Sequence, residues 1–412
     1  MTIVEFYDKT AIENICGALL YRPARMILVG ADRKKMERSI DRYCRVLRRA
    51  GINTELLYIC TPRNNLQDIV EKLSAIVDCY KDDCVFDLTG GDDLYLVATG
   101  IVKERYGEGV KCHRFNLLNN RIRDCDSDGE VLDARSFDIS VEDSVAIYGG
   151  EIIIAADGAR TTYPWDFNED FLSDIDAMWS ICRKNPGLWN MQANSLGAIC
   201  NTLDISSSLE VSFDRETLDS VYSKKRLGYA DALRFLGELR ERGLINSLFV
   251  DDKVSFKFKN GQIKRCLTVA GQILELYVAS KLLSVKDKDG KPLYHDVKVG
   301  VVIGWENYDG ESELPTVNEV DVLAMKGAIP IFISCKNGFF DASELYKLST
   351  VADRFGDKYA KKVLIATEMD KMGSKSEYLG ARMQDMGIRC VDAFDEMSEG
   401  EIERVFASLW LN

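Results

Sequence analysis

The sequence has few of the residues that build the common catalytic and zinc sites. Only two of its 412 residues are histidines, His113 and His295, which argues against a Ser-His-Asp or Cys-His catalytic centre. Its 12 cysteines are scattered singly, and no Cys-x-x-Cys pair occurs. Neither a zinc site nor a disulfide framework is therefore expected, and reduced, mostly buried thiols are predicted.

The sequence also lacks a long apolar run and a positive net charge. No uninterrupted apolar stretch reaches the roughly 18 residues that span a bilayer, and the start MTIVEFYDKT is unlike a secretory leader. We therefore expect a cytoplasmic protein with no membrane partner. The net charge is -13, whereas nucleic-acid-binding proteins are usually basic. Contact with nucleic acid would need a local basic groove or a bound metal ion.

Length and composition predict a folded protein of two or three domains. The chain has 412 residues, and a domain takes about 150. Hydrophobic residues make up 46% of the chain and charged residues 29%, as in ordinary globular proteins. The pattern of elements divides the chain into residues 1–150, 151–265 and 266–412.

Residues 1–150 alternate between strand and helix patterns. Apolar residues at three- and four-residue spacing predict helices at 34–50 and 66–80. Strands that alternate with helices predict a Rossmann-like α/β fold, a parallel sheet with right-handed crossovers. The predicted strands are TIVEFY, RMILVGA, TELLYICT, CVFDLTG and KCHRFNLL.

The expected ligand site of this sheet lies where the strand order reverses. For the order 3-2-1-4-5, that point is between the first and fourth strands, beyond their carboxyl ends. The paired glycines after strand 4 allow backbone N–H groups to approach a phosphate. No dinucleotide or ATPase loop motif is present, and the acidic residues that follow favour a ligand with dispersed phosphates and hydroxyls. The candidate ligand-binding residues are Tyr7, Asp8, Thr10, Gly30, Ala31, Thr89, Gly90, Gly91 and Asp92.

Residues 151–265 begin with a strand-like EIIIAA and continue through helical segments. A helix that ends at Gly243, followed by two strands joined at Asn260-Gly261, is typical of a winged-helix unit. Two interpretations stay open: a DNA-contacting wing, or a structural connector with a solvated charged face. The basic residues concerned are Lys224, Lys225, Arg226, Lys257, Lys259, Lys264 and Arg265.

Residues 266–412 read as a second compact α/β unit: an apolar helix, LTVAGQILELYVASKLL, three antiparallel strands, then alternating helices and strands. Alternate side chains of a strand share a face, so Glu319 and Asp321 lie together, as do Ser334 and Lys336. A hairpin turn at Lys326-Gly327 is expected to bring Asp321 near Lys336.

An acidic side chain of the preceding helix is expected to join this group. Glu275 lies on the inward side of the helix if Leu274 and Val278 pack on the sheet. Two or three carboxylates with one lysine suit Mg²⁺ or Mn²⁺ rather than zinc. A lysine there would orient or help to deprotonate water and would stabilise charge on a phosphate.

The order Glu275, Asp321, Lys336 in this context resembles the metal-dependent PD-(D/E)xK nucleases of prokaryotic defence proteins. The sequence departs from that family at Ser334, where the family has a carboxylate, and Glu319 or the Cys335 carbonyl would compensate. Glu306 is a weaker extra ligand candidate. The resemblance implies a catalytic set of Glu275, Glu319, Asp321, Ser334 and Lys336, and a metal set of Glu275, Asp321 and Cys335.

The sequence DLTGG that closes the fourth predicted strand resembles the CARF domain, the cyclic-oligoadenylate sensor of type III CRISPR defence. That family often continues with Thr-Lys, whereas this chain has Asp92-Asp93. The order of sensor, winged-helix-like connector and nuclease is similar to that of CARF effector nucleases. This resemblance implies a homodimer that binds a ring, most simply cyclic tetra-adenylate, across its two-fold axis. Binding would switch on a Mn²⁺- or Mg²⁺-dependent endonuclease acting on DNA, RNA or both.

Two other functions stay compatible with the sequence. One is a nucleotide-sensing winged-helix transcription regulator whose nuclease-like domain is inactive. The other is a ring nuclease, in which the sensor domain degrades its own ligand.

Overall fold

The computed structural model describes residues 1–80, 84–126, 131–133, 137–154, 161–204, 208–225, 227–305 and 317–411. Two predicted candidates, Arg226 and Glu306, lie outside these ranges. All 12 cysteines lie inside them as free thiols, and seven of them are buried. No helix within these ranges is long and apolar enough to cross a bilayer.

The N-terminal sheet has seven strands in the order β3-β2-β1-β4-β5-β6-β7. The first five are parallel, which confirms the predicted order, and β6 and β7 add an antiparallel extension. The strands are β1 (Thr2–Phe6), β2 (Arg25–Gly30), β3 (Glu55–Cys60), β4 (Cys84–Asp87), β5 (Val110–Asn116), β6 (Arg121–Asp124) and β7 (Val131–Asp133). The helices are α1 (Cys16–Tyr21), α2 (Arg33–Arg49), α3 (Leu66–Tyr80), α4 (Asp93–Tyr106) and α5 (Val141–Ile147).

The two faces of this sheet belong to different hydrophobic cores. Val4 and Phe6 pack with α3 and α4 on one face. On the other face, Leu28 of β2 lies in the same cluster as Phe332 and Phe355 of the C-terminal section. Parallel strands are usually buried on both faces. Here one of the covering layers is the C-terminal section itself, so the two sections share a core.

The middle of the chain combines helices with a three-stranded antiparallel sheet of order β10-β11-β9. The helix before the β10–β11 hairpin ends at Glu241, and Gly243, with a φ of 70°, follows its C-cap, close to the predicted end. The elements are β8 (Glu151–Ile152), α6 (Glu169–Cys182), α7 (Pro186–Thr202), β9 (Glu210–Asp214), α8 (Arg215–Tyr222), α9 (Tyr229–Glu241), β10 (Ile245–Val250), β11 (Lys253–Phe258) and α10 (Gly261–Thr268).

The predicted hairpin turn at Asn260-Gly261 is wrong. The two strands join at Asp251-Asp252, and β11 continues to Phe258. Asn260 instead caps α10, because its side chain accepts a hydrogen bond from Ile263 N at 2.9 Å. Asparagine is favoured both in tight turns and at helix N-caps, so the Asn-Gly pair alone does not distinguish them.

The C-terminal sheet has the order β16-β15-β14-β13-β12-β8. Its central strands β12, β13 and β14 are antiparallel, as predicted. The short edge strand β8 pairs with the last two residues of β12. The predicted apolar helix is two helices, because Gly271, with a φ of 87°, separates α10 from α11. The elements are α11 (Gln272–Ser284), β12 (Asp296–Gly304), β13 (Val317–Lys326), β14 (Ile329–Lys336), α12 (Ala342–Gly356), β15 (Lys361–Ala366), α13 (Ser374–Asp385), β16 (Ile388–Val391) and α14 (Glu399–Phe406).

Candidate functional site

The hairpin of β13 and β14 places Asp321 beside Lys336. Lys336 Nζ lies 3.5 Å from Asp321 Oδ2. The same oxygen accepts hydrogen bonds from Ser334 Oγ at 3.1 Å and from Cys335 N at 2.7 Å. Ser334 is buried, so its hydroxyl orients Asp321 in place of a second carboxylate. Three donors therefore hold one oxygen of Asp321.

Glu275 lies on α11 and interacts electrostatically with Asp321 and Lys336. Burial raises the pKa of Glu275 well above its usual range, and the negative charges of Asp321 and Glu319 raise it further, against the opposing effect of Lys336. Gln272 Nε2 donates a hydrogen bond to Glu275 Oε2 at 2.8 Å. Of the carboxylates predicted from the sequence, Asp321 contacts Lys336 directly, and Glu275 interacts with both through its charge.

Glu344 was not predicted, yet it makes the shortest ion pair of Lys336. It lies in the first turn of α12, and its carboxylate is 2.7 Å from Lys336 Nζ and 2.7 Å from Lys347 Nζ. Burial alone would lower the pKa of Lys336, but Asp321 and Glu344 raise it above its usual value. Lys336 is therefore held as a cation. The sequence signal that could have identified Glu344 is an acidic residue in the first turn of the helix that follows β14, the strand of Lys336.

The oxygen donors of this group fit a hard divalent cation. Among the residues that the structure describes, no three or more His, Cys, Asp or Glu side chains are arranged to hold a metal ion. Magnesium, however, is commonly bound by one or two carboxylates, with water and substrate phosphate completing its shell. Glu275 and Asp321 are the residues that would hold it. A cation there would relieve the repulsion that raises the pKa of Glu275.

A cleft of about 920 Å³ opens at the carboxyl ends of β1 and β2, next to the loop before α4. Five of the nine predicted ligand residues line it, together with basic side chains from α2 and from the loops after β1 and β3. Two further lining residues were not predicted from the sequence: Arg63, in the loop after β3, and Tyr95, in the first turn of α4 just after the glycine motif. The predicted residues that line the cleft are Tyr7, Asp8, Gly30, Ala31 and Asp92, and the basic ones are Lys9, Arg33, Lys34, Lys35 and Arg63.

The other four predicted ligand residues, Thr10, Thr89, Gly90 and Gly91, do not line this cleft. The Thr89 hydroxyl donates a hydrogen bond to Asp87 and accepts one from Phe115 N at 2.7 Å. Gly91 has a φ of 103°, and a Cβ there would lie 2.5 Å from Phe6 Cβ. These residues shape the loop behind the cleft.

A buried acidic pair lies at the end of β4. Glu5 and Asp87 are each 1% exposed, and His113 is fully buried with its Nε2 3.1 Å from Asp87 Oδ2. Burial raises the pKa of Glu5 well above its usual range, and the neighbouring Asp87 raises it further. Gly17 makes room for the pair, because a Cβ there would lie 2.5 Å from Glu5 Oε1.

Four of the basic residues of the winged-helix-like region make internal contacts. Lys259 Nζ lies 2.7 Å from both carboxylate oxygens of Asp174, which is buried. Lys257 Nζ lies 3.3 Å from Glu210 on the neighbouring strand. These two lysines therefore neutralise acidic side chains of the same unit.

Two further cations of this region, Lys264 and Arg265, are also engaged, whereas Lys224 and Lys225 are exposed. Lys264 is buried, and its Nζ donates to Ser208 O at 2.6 Å. The Arg265 guanidinium lies 4.6 Å from the centre of the Tyr163 ring. The turn that a DNA-contacting wing would present carries Asp251 and Asp252. These contacts favour the structural connector over the DNA-contacting wing.

Comparison with known proteins supports the fold. No family model matches the sequence, and no curated protein is similar to it in sequence. The crystal structure of protein VC1899 from Vibrio cholerae matches with a TM-score of 0.72 and 17% identity, over 99% of this chain and 97% of that one. The structure of Can2 from Sulfobacillus thermosulfidooxidans in complex with cyclic tetra-adenylate matches with a TM-score of 0.61 and 16% identity, over 99% of this chain and 96% of that one. The predicted fold class is thereby confirmed, since this chain shares its fold with both proteins over nearly its whole length.

Proposed function

We propose that the chain is a cytoplasmic, homodimeric, metal-dependent endonuclease of type III CRISPR defence, switched on by a cyclic oligoadenylate, with cyclic tetra-adenylate as the first choice. The proposal is supported by the ion pair of Asp321 with Lys336 on the β13–β14 hairpin and by the charge interaction of Glu275 on α11 with both residues. It occurs in a chain that shares its fold with Can2, whose structure contains cyclic tetra-adenylate.

The reaction is hydrolysis of a phosphodiester bond in DNA or RNA, in which water adds to phosphorus and one P–O bond breaks. A bound Mn²⁺ or Mg²⁺ supplies an activated water and offsets phosphate charge. Ser334 and Cys335 N keep the Asp321 carboxylate in a fixed orientation. The Lys336 ammonium stabilises the negative charge that grows on the phosphate in the transition state.

The cleft at β1 and β2 is the proposed ring site. The basic side chains of Arg33, Lys34, Lys35 and Arg63 line it, and cations of this kind suit the dispersed phosphates of a cyclic oligonucleotide. A two-fold-symmetric ring would make the same contacts with both chains of a homodimer. Each chain then needs to supply half of the binding surface.

The test is cleavage of plasmid and of single-stranded DNA and RNA with Mn²⁺ or Mg²⁺, with and without synthetic cyclic oligoadenylates of each ring size. The proposal predicts cleavage only with ring and metal together, and loss of cleavage in Asp321→Asn. Asp353→Asn is the matched control, because Asp353 is exposed on α12 and pairs with Lys362. No ring-dependent cleavage by the wild type, or full cleavage by Asp321→Asn, would defeat the proposal.

The same incubations separate the two other functions. A transcription regulator would bind a specific duplex in a ring-dependent and metal-independent way, without cutting it. A ring nuclease would convert the added ring into linear product in the absence of any nucleic acid.

A further inference from the structure

Helix α12 contacts the candidate catalytic lysine at one end. Glu344, in its first turn, lies 2.7 Å from Lys336 Nζ. The helix has 15 residues and ends at Gly356, which makes it about 22 Å long. It packs firmly on the sheet, because Leu345, Leu348 and Phe355 are buried in the shared core.

The residues that follow α12 contact the N-terminal section. Thr10 Oγ1 donates a hydrogen bond to Asp357 Oδ2 at 3.0 Å. The Glu13 carboxylate accepts one from Tyr359 Oη at 2.5 Å and lies 2.9 Å from Lys358 Nζ. Glu13 is 3% exposed and Thr10 is 1% exposed, so the N-terminal partners of these contacts are sheltered from water.

Thr10 and Glu13 belong to the segment that borders the ligand cleft. Thr10 N donates to Asp8 Oδ1 at 2.8 Å, and Asp8 Oδ2 accepts from Gly91 N at 3.2 Å. Asp8 itself lines the cleft. A Cβ on Gly90 would lie 3.0 Å from Asp8 Cβ and 3.4 Å from Glu13 Cβ. A ligand that displaces Asp8 therefore acts on the residues that hold the end of α12.

A second cleft brings α12 still closer to the ligand. It has a volume of about 220 Å³ and shares Tyr7, Asp8 and Lys9 with the larger cleft. Arg354, in the last turn of α12, lines it. A ligand that extends from the larger cleft into this one therefore meets α12 directly.

We propose that α12 transmits the occupancy of the ligand cleft to Lys336, with Glu344 as the positioning residue at the far end. The inference rests on the proposed function, since its output is the activity of Lys336. Packed helices shift as units when the contacts at one end change. A shift of α12 along the sheet moves Glu344, and the ammonium of Lys336 follows because Glu344 is its nearest anionic partner.

The direct test is hydrogen exchange of the full-length protein with and without cyclic tetra-adenylate, which needs no cleavage. In the wild type, the ring changes exchange in residues 8–14 and also in residues 337–348. In Tyr359→Phe, which removes only a hydroxyl, the change at 8–14 persists and the change at 337–348 is lost or strongly reduced. Tyr106→Phe is the matched control, because Tyr106 Oη donates to Asp78 within the sensor at 2.9 Å.

Kinetics supply a second readout. Glu344→Gln lowers kcat roughly tenfold with KM and ring affinity unchanged, and Glu344→Asp restores part of it. Tyr359→Phe lowers the ring stimulation roughly fivefold, and the double variant is no worse than Glu344→Gln alone, because both act through one element. Thr10→Val repeats the test at a second contact.

The outcomes separate this inference from the proposed function. A wild type that binds the ring, shows both exchange changes and never cleaves overturns the proposed function alone. Exchange changes confined to residues 8–14, or fully additive kinetic effects of Glu344→Gln and Tyr359→Phe, overturn the transmission through α12 alone.

Discussion

Ser334 Oγ donates a hydrogen bond to Asp321 Oδ2 at 3.1 Å, at the position where the resembling nucleases have a carboxylate. A neutral donor there stabilises the Asp321 charge without a metal. A second carboxylate at position 334 would repel the Asp321 carboxylate. At the proposed cation site, Ser334 would therefore lower the affinity for a cation and stabilise the metal-free site.

Ser334→Asp tests this relationship. Two carboxylates at hydrogen-bond distance repel each other, so the variant should unfold at a lower temperature than the wild type without metal. It should gain more stability than the wild type when Mn²⁺ is added. Thermal unfolding with and without Mn²⁺ measures both effects, and Ser343→Asp at the exposed start of α12 is the control. If Mn²⁺ raised the unfolding temperature of Ser334→Asp and of the wild type equally, the proposed cation site beside Ser334 would be contradicted.

Arg63→Ala should weaken binding of cyclic tetra-adenylate about tenfold, the effect of losing one charge-assisted contact of roughly 1.4 kcal/mol. Arg63 lines the ligand cleft. Isothermal titration calorimetry at two salt concentrations measures the change, which should shrink at high salt. Arg49→Ala, whose partner is Asp143 at 2.7 Å, should bind the ring like the wild type. An unchanged affinity in Arg63→Ala would place the ring elsewhere.

Glu5→Gln should stabilise the protein increasingly as pH rises. Burial and Asp87 raise the pKa of Glu5 in the folded state, so unfolding releases a proton once pH exceeds the unfolded pKa. In the wild type this lowers the unfolding free energy by up to about 1.4 kcal/mol per pH unit until the folded pKa is reached. Urea unfolding from pH 5 to 8 compares Glu5→Gln with the exposed control Glu55→Gln. If the gain in unfolding free energy of Glu5→Gln did not grow with pH, the raised pKa of Glu5 would be refuted.

Lys259→Ala should destabilise the protein by about 2 kcal/mol, because it leaves the buried Asp174 carboxylate without its cation. Lys257→Ala, which removes an exposed pair with Glu210, should cost about 0.5 kcal/mol or less. Urea unfolding measures both. Neither variant should weaken binding of duplex DNA. Reduced DNA binding in both variants, with unchanged stability, would restore the wing as a DNA-contacting element.

The strands and the Asp321–Lys336 pair could be predicted from the sequence because each depends on local periodicity. The order of the first five N-terminal strands follows from the topology of alternating strands and helices. Apolar alternation defines β13 and β14, and a two-residue turn fixes their register. The same reasoning failed at Asn260, where a turn signal and a helix cap share one residue type. It also merged α10 and α11, because the apolar pattern continues through Gly271.

The rest of the site depends on contacts between distant parts of the chain. Glu344 is an ordinary first-turn glutamate until α12 packs over the end of β14. Arg63 reaches the ligand cleft only because β3 lies beside β2 in the sheet. Thr10 and Asp357 are 347 residues apart in sequence. No periodicity within either segment indicates such a pair.

Titration of the full-length protein with Mn²⁺, followed by electron paramagnetic resonance without nucleic acid, tests most directly whether Glu275 and Asp321 form a cation site beside Lys336. The expected result is one saturable Mn²⁺ site per chain in the wild type, absent in Asp321→Asn and at least tenfold weaker in Glu275→Gln. A wild type that binds no Mn²⁺, or a site that both substitutions leave intact, would contradict the account.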